Sequence, residues 1–311
     1  MTRIGVIGTG GWGKNHVRVL NELDALAAVC DSDRERTQLY SKNYKVSGYD
    51  SVDSMLGKEK LDGVTICTPA STHFMIASKT LDAGLNTFVE KPMTTTSKDG
   101  ESLIELARKT KRVLTVGFIE RFNPPISELK KMIVGGRLGA PILLEFHREN
   151  RRGDNVVDVG IVKDASVHDI DTARWLFGEE PRVVFARVGN VKSSNEDFAA
   201  IMLGFEDQKT AFITTNWVTP ARVRTLEAVF ANGVVSVDFV TQQTQIHEED
   251  GTRMPKLNIQ EPLMLELKEY LAAIEEKRQP LVRGEDGLMV TKIAEAVLAS
   301  SRSGTPIFMG R

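Results

Sequence analysis

The chain has 311 residues, 41% of them hydrophobic and 26% charged, and its formal net charge at pH 7 is −2. This composition is that of a globular protein long enough for two domains. The charge offers no electrostatic basis for binding nucleic acid or an anionic membrane. No apolar run reaches the roughly 18 residues of a membrane-spanning helix. The first apolar stretch is too short for a secretory signal, so we expect a cytoplasmic protein.

Up to Gly117, short apolar runs alternate with amphipathic stretches, which predicts an α/β Rossmann domain with a doubly wound parallel sheet. The predicted strands are Ile4–Ile7, Leu26–Cys30, Val64–Cys67, Thr87–Val89 and Val113–Val116. The predicted helices are Lys14–Leu23, Arg34–Ser41, Thr72–Ala83 and Ser97–Lys109. Ser71 and Ser97 are placed to cap the last two helices.

The first strand leads into a glycine-rich turn, Gly8-Thr9-Gly10-Gly11-Trp12-Gly13, which fits the G-x-G-x-x-G pattern. In this pattern the glycines permit a tight turn, close approach of a pyrophosphate and close packing of helix on strand. The following helix presents free N–H groups to the phosphates. The strand–turn–helix context therefore predicts a dinucleotide-binding site.

Asp31 ends the second predicted strand, about 20 residues after the glycines, where an acid accepts a hydrogen bond from the adenosine ribose 2′-hydroxyl. A carboxylate at this position repels a 2′-phosphate, so we expect NAD. Arg34 and Arg36 follow closely, and an arginine there accommodates the 2′-phosphate of NADP. NADP therefore remains the alternative.

Two further strand ends reach the same edge of the predicted sheet. One continues as Thr68-Pro69 and the other as Glu90-Lys91-Pro92. Since ligands of open parallel sheets bind beyond the carboxyl ends of the strands, we expect both segments beside the cofactor. His73 near the third helix start is a cofactor contact or a surface residue. Cys30 and Cys67, the only cysteines, are expected to be reduced buried thiols, with no metal site.

The pattern changes at Asn123-Pro124-Pro125, since two prolines do not fit inside an α/β core. Residues 1–122 are therefore predicted to form the Rossmann domain, and residues 123–311 an α+β substrate-binding and oligomerisation domain. Its predicted strands form an open, mainly antiparallel sheet with a hairpin at Asn232-Gly233. They are Pro141–Glu149, Arg182–Val191, Phe198–Phe205, Thr210–Val218, Thr225–Phe230 and Val234–Phe239. Its predicted helices are Ile126–Val134, Asp164–Phe177, Leu263–Lys277 and Asp286–Ser301.

Asp164 and His168 stand four residues apart in a segment of helical spacing, so their side chains share one face. Oxidation of an alcohol by hydride transfer needs a base for the hydroxyl proton. Histidine serves that purpose near neutral pH, and a lysine can hold the oxygen. A capping aspartate with a surface histidine is the plain alternative. Asp169 and Asp171 could equally supply the acid, since periodicity does not choose among them.

These motifs together resemble the Gfo/Idh/MocA oxidoreductase family over almost the whole chain. The stretches that carry the resemblance are Gly8–Gly13, Asp31, Thr68-Pro69, Glu90-Lys91-Pro92, Gly117–Pro124 and Asp164-x-x-x-His168-x-x-Asp171. The resemblance implies NAD(P), a sugar or polyol substrate, Lys91, Asp164 and His168 as catalytic residues, and a cis peptide before Pro92. It also implies that Arg121 lies near the cofactor and that the sheet forms a homo-oligomer interface, giving a tetramer or dimer.

Within the family, Gly117–Pro124 and Val167–Asp171 are most similar to UDP-N-acetylglucosamine 3-dehydrogenases. Arg148, Arg151 and Arg152, with Asn150, could clamp a nucleotide-sugar diphosphate, or form a solvated loop. The segment before Asp164, Asp158–Lys163, is less glycine-rich than is usual in the family, which alters the expected pocket wall. The rival functions are an inositol or free-sugar dehydrogenase and, in another class, a non-catalytic regulator that senses NAD or a sugar.

Overall fold

The computed structural model describes residues 2–151 and 158–310. Contacts between Cα atoms divide the chain into two compact units. Unit 1 comprises residues 1–117 and 263–291, and unit 2 comprises residues 118–262 and 292–311. The boundary predicted between residues 122 and 123 stays a prediction. The division into units differs from this prediction, because unit 1 also contains a C-terminal segment, residues 263–291.

Unit 1 contains a six-stranded parallel sheet in the order β3-β2-β1-β4-β5-β6. Its strands are β1 (Ile4–Ile7), β2 (Leu26–Cys30), β3 (Ser47–Tyr49), β4 (Gly63–Ile66), β5 (Asn86–Val89) and β6 (Leu114–Val116). All residues of β1, β4, β5 and β6 are buried, as expected for a sheet covered on both faces. The strand order reverses between β1 and β4, so the crevice that binds ligands in such sheets lies beyond their carboxyl ends.

Helices connect these strands, and unit 1 also contains a helix from the C-terminal part of the chain. The helices are α1 (Gly13–Glu22), α2 (Arg34–Tyr44), α3 (Val52–Lys58), α4 (His73–Asp82), α5 (Ser97–Thr110) and α8 (Pro262–Glu275). The caps predicted at Ser71 and Ser97 are wrong, because α4 follows Thr72 with no side-chain cap and Thr96 caps α5. In α8, Tyr270 is buried and donates its hydroxyl proton towards the carbonyl oxygens of Val64 and Asn86, at 3.0 and 2.8 Å.

Unit 2 contains a nine-stranded sheet in the order β14-β13-β12-β11-β7-β10-β9-β8-β15. Its strands are β7 (Pro141–Glu149), β8 (Val183–Gly189), β9 (Phe198–Gly204), β10 (Thr210–Asn216), β11 (Val223–Phe230), β12 (Gly233–Asp238), β13 (Gln243–Glu248), β14 (Gly251–Arg253) and β15 (Ile307–Phe308). Every neighbouring pair is antiparallel except β7 and β10. The predicted hairpin at Asn232-Gly233 joins β11 and β12.

One face of this sheet, here called the inner face, carries buried residues such as Phe146 of β7 and Leu226 of β11. A π-helical turn, Val162–Ser166, and the helix that follows it, α7 (Val167–Phe177), pack on this face through β7, β9 and β10. Unit 2 also contains α6 (Pro124–Gly135), whose first turn accepts the two prolines. The last helix, α9 (Gly284–Ser303), contributes its first residues to unit 1 and the rest to unit 2.

The predicted fold class is confirmed: a parallel Rossmann sheet accompanies a mixed, mostly antiparallel sheet. Cys30 is buried and Cys67 half-buried, and both are free thiols. Burial raises the pKa of the Cys30 thiol to about 12, with Asp31 and Asp50 acting in the same direction. In the described part of the chain, no helix combines the length and apolarity needed to cross a membrane.

Candidate active site

The glycine turn after β1 is built as the sequence predicts. Gly8 has a φ of +86°, and a Cβ added there would lie 2.8 Å from the backbone of Cys67. At Gly13 an added Cβ would lie only 1.8 Å from the carbonyl oxygen of Gly8. These two positions exclude any side chain, since backbone atoms cannot move aside as a flexible side chain does. The turn therefore needs glycine for its shape.

Asp31, at the carboxyl end of β2, is held against this turn. Its Oδ2 accepts hydrogen bonds from the backbone N–H and the hydroxyl of Thr9, at 2.7 and 3.0 Å. Its Oδ1 accepts from the backbone N–H of Asp33 at 2.9 Å. The carboxylate is thus buried and fixed in orientation, as a residue that positions a ribose must be.

The two candidate arginines of α2 lie in different places. Arg36 lies by the glycine turn, with Nη2 3.4 Å from Oδ1 of Asp31 and Nη1 2.9 Å from a Cβ added at Gly10. Arg34 instead pairs with Asp50 at 3.2 Å, where both side chains are exposed. Arg36 is therefore the arginine beside the position predicted for the ribose. Asp31 and Arg36 together leave both NAD and NADP chemically compatible with the turn.

Glu90, which follows β5, joins the glycine turn to Lys91. Its Oε1 accepts a hydrogen bond from the indole N–H of Trp12 at 2.7 Å and lies 3.0 Å from Nε2 of His16. Its Oε2 accepts from the backbone N–H of Lys91 at 3.2 Å. Burial by itself raises the pKa of Glu90, but the hydrogen bond and charge of His16, with Lys91 and Trp12, bring it below its usual range.

His73 connects the two other strand ends of the candidate site. Its ring lies 2.8 Å from the carbonyl oxygen of Pro92 and 2.9 Å from that of Thr68, at Nδ1 and Nε2 respectively, and it is buried. Carbonyl oxygens only accept, so a ring nitrogen that carries hydrogen donates to the carbonyl it faces. His73 thus ties the exits of β4 and β5 together. The peptide between Lys91 and Pro92 is cis, as the resemblance implies.

The residues of unit 1 fit a dinucleotide. Among the described residues, no side chain caps the N-terminus of α1, which leaves its N–H groups to the turn and its ligand. The turn excludes side chains, Asp31 is oriented, and Thr68 with Pro69 follows the strand next to β1. The remaining predicted contacts, Gly11, Trp12, His73 and Lys91 among them, stay predictions of cofactor binding.

In unit 2, Asp164 lies within the π-helical turn and His168 in the first turn of α7, and both are half-buried. The turn begins after Gly160, whose carbonyl oxygen accepts the backbone N–H of Asp164 at 3.0 Å. Short π-helical turns occur frequently at functional sites. The catalytic roles predicted for Asp164 and His168 stay predictions.

Asp169 and Asp171, the alternatives to Asp164 as the catalytic acid, both form ion pairs with arginines. Asp169 accepts from Nε and Nη2 of Arg148 at 2.7–3.1 Å, and Nη2 of Arg148 also donates to Glu120 at 3.0 Å. Asp171 accepts from Nε and Nη2 of Arg121 at 2.7 and 2.6 Å. The bidentate geometry and full burial make both structural cross-links.

The residues of unit 2 that were predicted to contact ligands differ in burial and in the partners they already have. Arg148 and Arg121 are buried and engaged in these pairs, and Asn150 donates to the carbonyl oxygen of Arg151 at 2.8 Å. Arg151 is exposed, and Arg152 lies outside the described residues. The substrate contacts of Arg148 and Asn150 and the cofactor contact of Arg121 stay predictions.

His16 is the site residue that the sequence did not reveal. It is fully buried on the side of α1 that also buries Val17 and Leu20. A histidine on an apolar helix face three residues after the last glycine was the available signal. Its partner, Glu90, is distant in sequence, so only the fold identifies the pair.

A Rossmann sheet with this glycine turn and oriented acid defines a dinucleotide-binding protein. Residues 2–118 match the model of the oxidoreductase family with an NAD-binding Rossmann fold, and residues 126–236 match the GFO/IDH/MocA C-terminal domain. The chain belongs to the Gfo/Idh/MocA oxidoreductase family.

Among its relatives is the UDP-N-acetylglucosamine 3-dehydrogenase of Acidithiobacillus ferrooxidans, 28% identical over 94% of this chain and 95% of that protein. A solved structure of that enzyme superposes with a TM-score of 0.90 over 97% of this chain and 98% of that one. The inositol 2-dehydrogenase of Rhizobium meliloti is 27% identical over 96% of each chain. The WlbA dehydrogenase of Bordetella pertussis in complex with NADH and UDP-GlcNAcA, 21% identical over 100% of this chain and 99% of that one, shares the fold with a TM-score of 0.86.

The protein is thus an NAD-binding dehydrogenase of the family whose members act on the hydroxyl groups of sugars and polyols.

Proposed function

We propose that this enzyme is a UDP-N-acetylglucosamine 3-dehydrogenase, which oxidises the secondary alcohol at C3 of the sugar. The observation that carries the proposal is the likeness to the Acidithiobacillus ferrooxidans enzyme over nearly the full length of both chains. Arg151, just after β7, is exposed, and a planar guanidinium group binds a diphosphate well, which supports a substrate of this kind.

His168 is the proposed general base. Its Nδ1 is buried, so Nε2 is the nitrogen that would take the hydroxyl proton as the carbonyl forms. Lys91 would polarise the same oxygen, because an ammonium stabilises the negative charge that develops on it. Asp164 would orient His168 or hold a second hydroxyl group. NAD, when bound, supplies the hydride acceptor.

A polyol dehydrogenase is the second candidate, because inositol 2-dehydrogenases are similar over the same share of the chain at 27% identity. Myo-inositol has no anionic group, so it would make no use of the arginines near β7.

The rate of NADH formation with UDP-N-acetylglucosamine, compared with myo-inositol at equal concentration, tests the proposal. We expect turnover with the nucleotide sugar and a kcat/KM for myo-inositol about 10- to 100-fold lower, since a charge-assisted contact with a diphosphate contributes about 1.5–3 kcal/mol. The His168→Gln variant should lose turnover, and the exposed His147→Gln variant should retain it. Faster turnover of myo-inositol than of the nucleotide sugar contradicts the proposal.

We also propose that the outer face of the unit 2 sheet joins copies of the chain into a dimer or tetramer. Phe198 of β9 and Phe212 of β10 lie on that face and are 37% and 44% exposed. Exposed aromatic side chains on one face mark an interaction surface. Light scattering of the wild type and of Phe212→Glu tests this, and a monomeric wild type contradicts it.

A further inference from the structure

Three neighbouring strands of unit 2 place Arg224, Arg148 and Thr215 in one row on the inner face. Arg148 of β7 is the register partner of Arg224 on β11 and of Thr215 on β10. Directly opposed residues of antiparallel strands have Cβ atoms about 4.5–5.5 Å apart. The two arginines are therefore immediate neighbours on the face that α7 covers.

The two arginines are not equally satisfied. Arg148 is buried and donates to Asp169 and Glu120, so both acids near the row already have a guanidinium partner. Arg224 is half-buried, and its Nε is fully buried and donates to no acceptor within residues 2–151 and 158–310. The hydroxyl oxygen of Thr215 is likewise buried and makes no hydrogen bond within those residues.

The surroundings of Arg224 disfavour its charge. Burial lowers the pKa of its guanidinium to about 10, and Arg148 and Arg222 act in the same direction against the attraction of Glu120 and Asp169. A partly desolvated cation whose buried Nε–H has no acceptor within the described residues is costly to the folded protein. A ligand with an oxyanion would remove that cost, since it would supply both the charge and the acceptors.

Arg224 lies close to the residue proposed as base. Asp169, which contacts the neighbouring Arg148, directly follows His168 in α7. The row therefore lies beneath the turn of α7 that carries His168. The anionic part of a substrate and its reacting hydroxyl can be several bonds apart, as they are in a nucleotide sugar.

We propose that Arg224 binds the diphosphate of the substrate and so selects a nucleotide sugar over an uncharged polyol. This inference rests on the proposed function, because it places the nucleotide sugar in unit 2. Arg148 would support Arg224 indirectly, since its ion pairs neutralise Glu120 and Asp169.

Calorimetric titration of UDP-N-acetylglucosamine and of UDP into the NADH-bound enzyme tests the inference. We expect Arg224→Gln to raise both Kd values about 10- to 100-fold, the loss that a charge-assisted hydrogen-bonded pair predicts. Arg224→Lys should recover part of the affinity, because lysine keeps the charge and loses the planar fork. Arg187→Gln is the matched control, since it removes an exposed cation from the outer face of the same sheet.

Unchanged Kd values for UDP and UDP-N-acetylglucosamine in Arg224→Gln overturn the inference, as does a wild type that binds neither ligand. An unaltered Kd for NADH shows that the variant is folded. If Arg224→Gln does not fold, Arg224→Lys gives the decision: a Kd for UDP above that of the wild type supports the inference, because lysine loses the planar fork, and an unchanged Kd overturns it. Oxidation of myo-inositol alone would refute the proposed function, while loss of UDP binding in Arg224→Gln would still support the anion site.

Discussion

The imidazole of His16 lies 3.0 Å from the carboxylate of Glu90, with Nε2 against Oε1, and both residues are buried in unit 1. The same oxygen accepts the indole N–H of Trp12, at the tip of the glycine turn. Glu90 therefore holds the helix that follows the turn, and its other oxygen accepts the backbone N–H of Lys91. A single carboxylate therefore links the shape of the cofactor turn to the position of Lys91, the lysine proposed to polarise the substrate oxygen.

His16→Leu should destabilise the protein by about 3 kcal/mol, because it leaves a buried carboxylate with one partner fewer. Since the folded pKa of Glu90 is lowered, its ionisation stabilises the fold above about pH 4.5 and this stabilisation is lost as the pH falls through the folded value. Urea unfolding between about pH 2 and pH 8 checks both points. The exposed His147→Leu variant is the control, and equal stability of the two variants would contradict the structural role of His16.

Lys91→Met should reduce kcat by about 10²- to 10⁴-fold, the range of a lost acid–base or polarising group. The Kd for NADH should change little, since the variant keeps the length of the side chain. Lys98→Met, an exposed position in α5, should behave as wild type. Unchanged turnover of Lys91→Met would refute its catalytic role.

Asp31→Asn should shift cofactor preference from NAD towards NADP. The neutral amide no longer repels a 2′-phosphate and accepts a weaker hydrogen bond from the ribose, while Arg36 remains beside it. We expect about a tenfold change in the ratio of the Kd values for NADH and NADPH, measured by fluorescence titration. Asp50→Asn, which removes an exposed carboxylate, should leave the ratio as it is.

Gly13→Ala should abolish cofactor binding and lower stability, because the new methyl group would overlap the carbonyl oxygen of Gly8. Gly57→Ala is the matched control: it lies in α3, and nothing lies within 4 Å of the added Cβ. That change should stabilise the protein by up to about 1 kcal/mol, since alanine is the better helix former. Thermal unfolding with and without NADH separates the two outcomes.

Arg148→Met should cost about 3–5 kcal/mol of stability, because Asp169 and Glu120 would be left as buried, unpaired acids. Burial is the main cause that raises the pKa of Asp169, and Arg148 opposes it. Urea unfolding measures the cost. A variant with native stability and a raised KM alone would instead support the direct substrate contact predicted for Arg148.

The sequence revealed the fold where one local signal decides the structure. Alternating apolar runs and amphipathic stretches located most of the parallel strands and their helices, and Asn232-Gly233 located a hairpin. The edge strand β3, by contrast, is three residues long and largely exposed, so its burial pattern was not recognisable. Neither was the parallel pairing of β7 with β10, because pairing depends on partners far apart in the chain.

The candidate site was predictable where local sequence motifs determine it. The glycine turn, Asp31 and Glu90-Lys91-Pro92 carry their chemistry in short motifs. The partners of Arg148 could not be inferred from its own neighbourhood, because Asp169 and Glu120 lie 21 and 28 residues away. A run of arginines predicts an anion site, but only the fold shows that Arg148 is already engaged with acids and that Arg224 is its neighbour.

Tyr270 reaches back from α8 to the backbone between β4 and β5, and Gly63 makes room for it, since a Cβ there would lie 2.5 Å from its hydroxyl oxygen. A truncated protein that stops at Gly117 would leave those carbonyl groups and the surrounding apolar surface uncovered. Any exchange of nucleotide-binding modules between relatives should therefore transplant residues 263–291 together with the first 117, as a two-segment insert. A graft of the first segment alone would carry the cofactor motif without the tyrosine that closes its core.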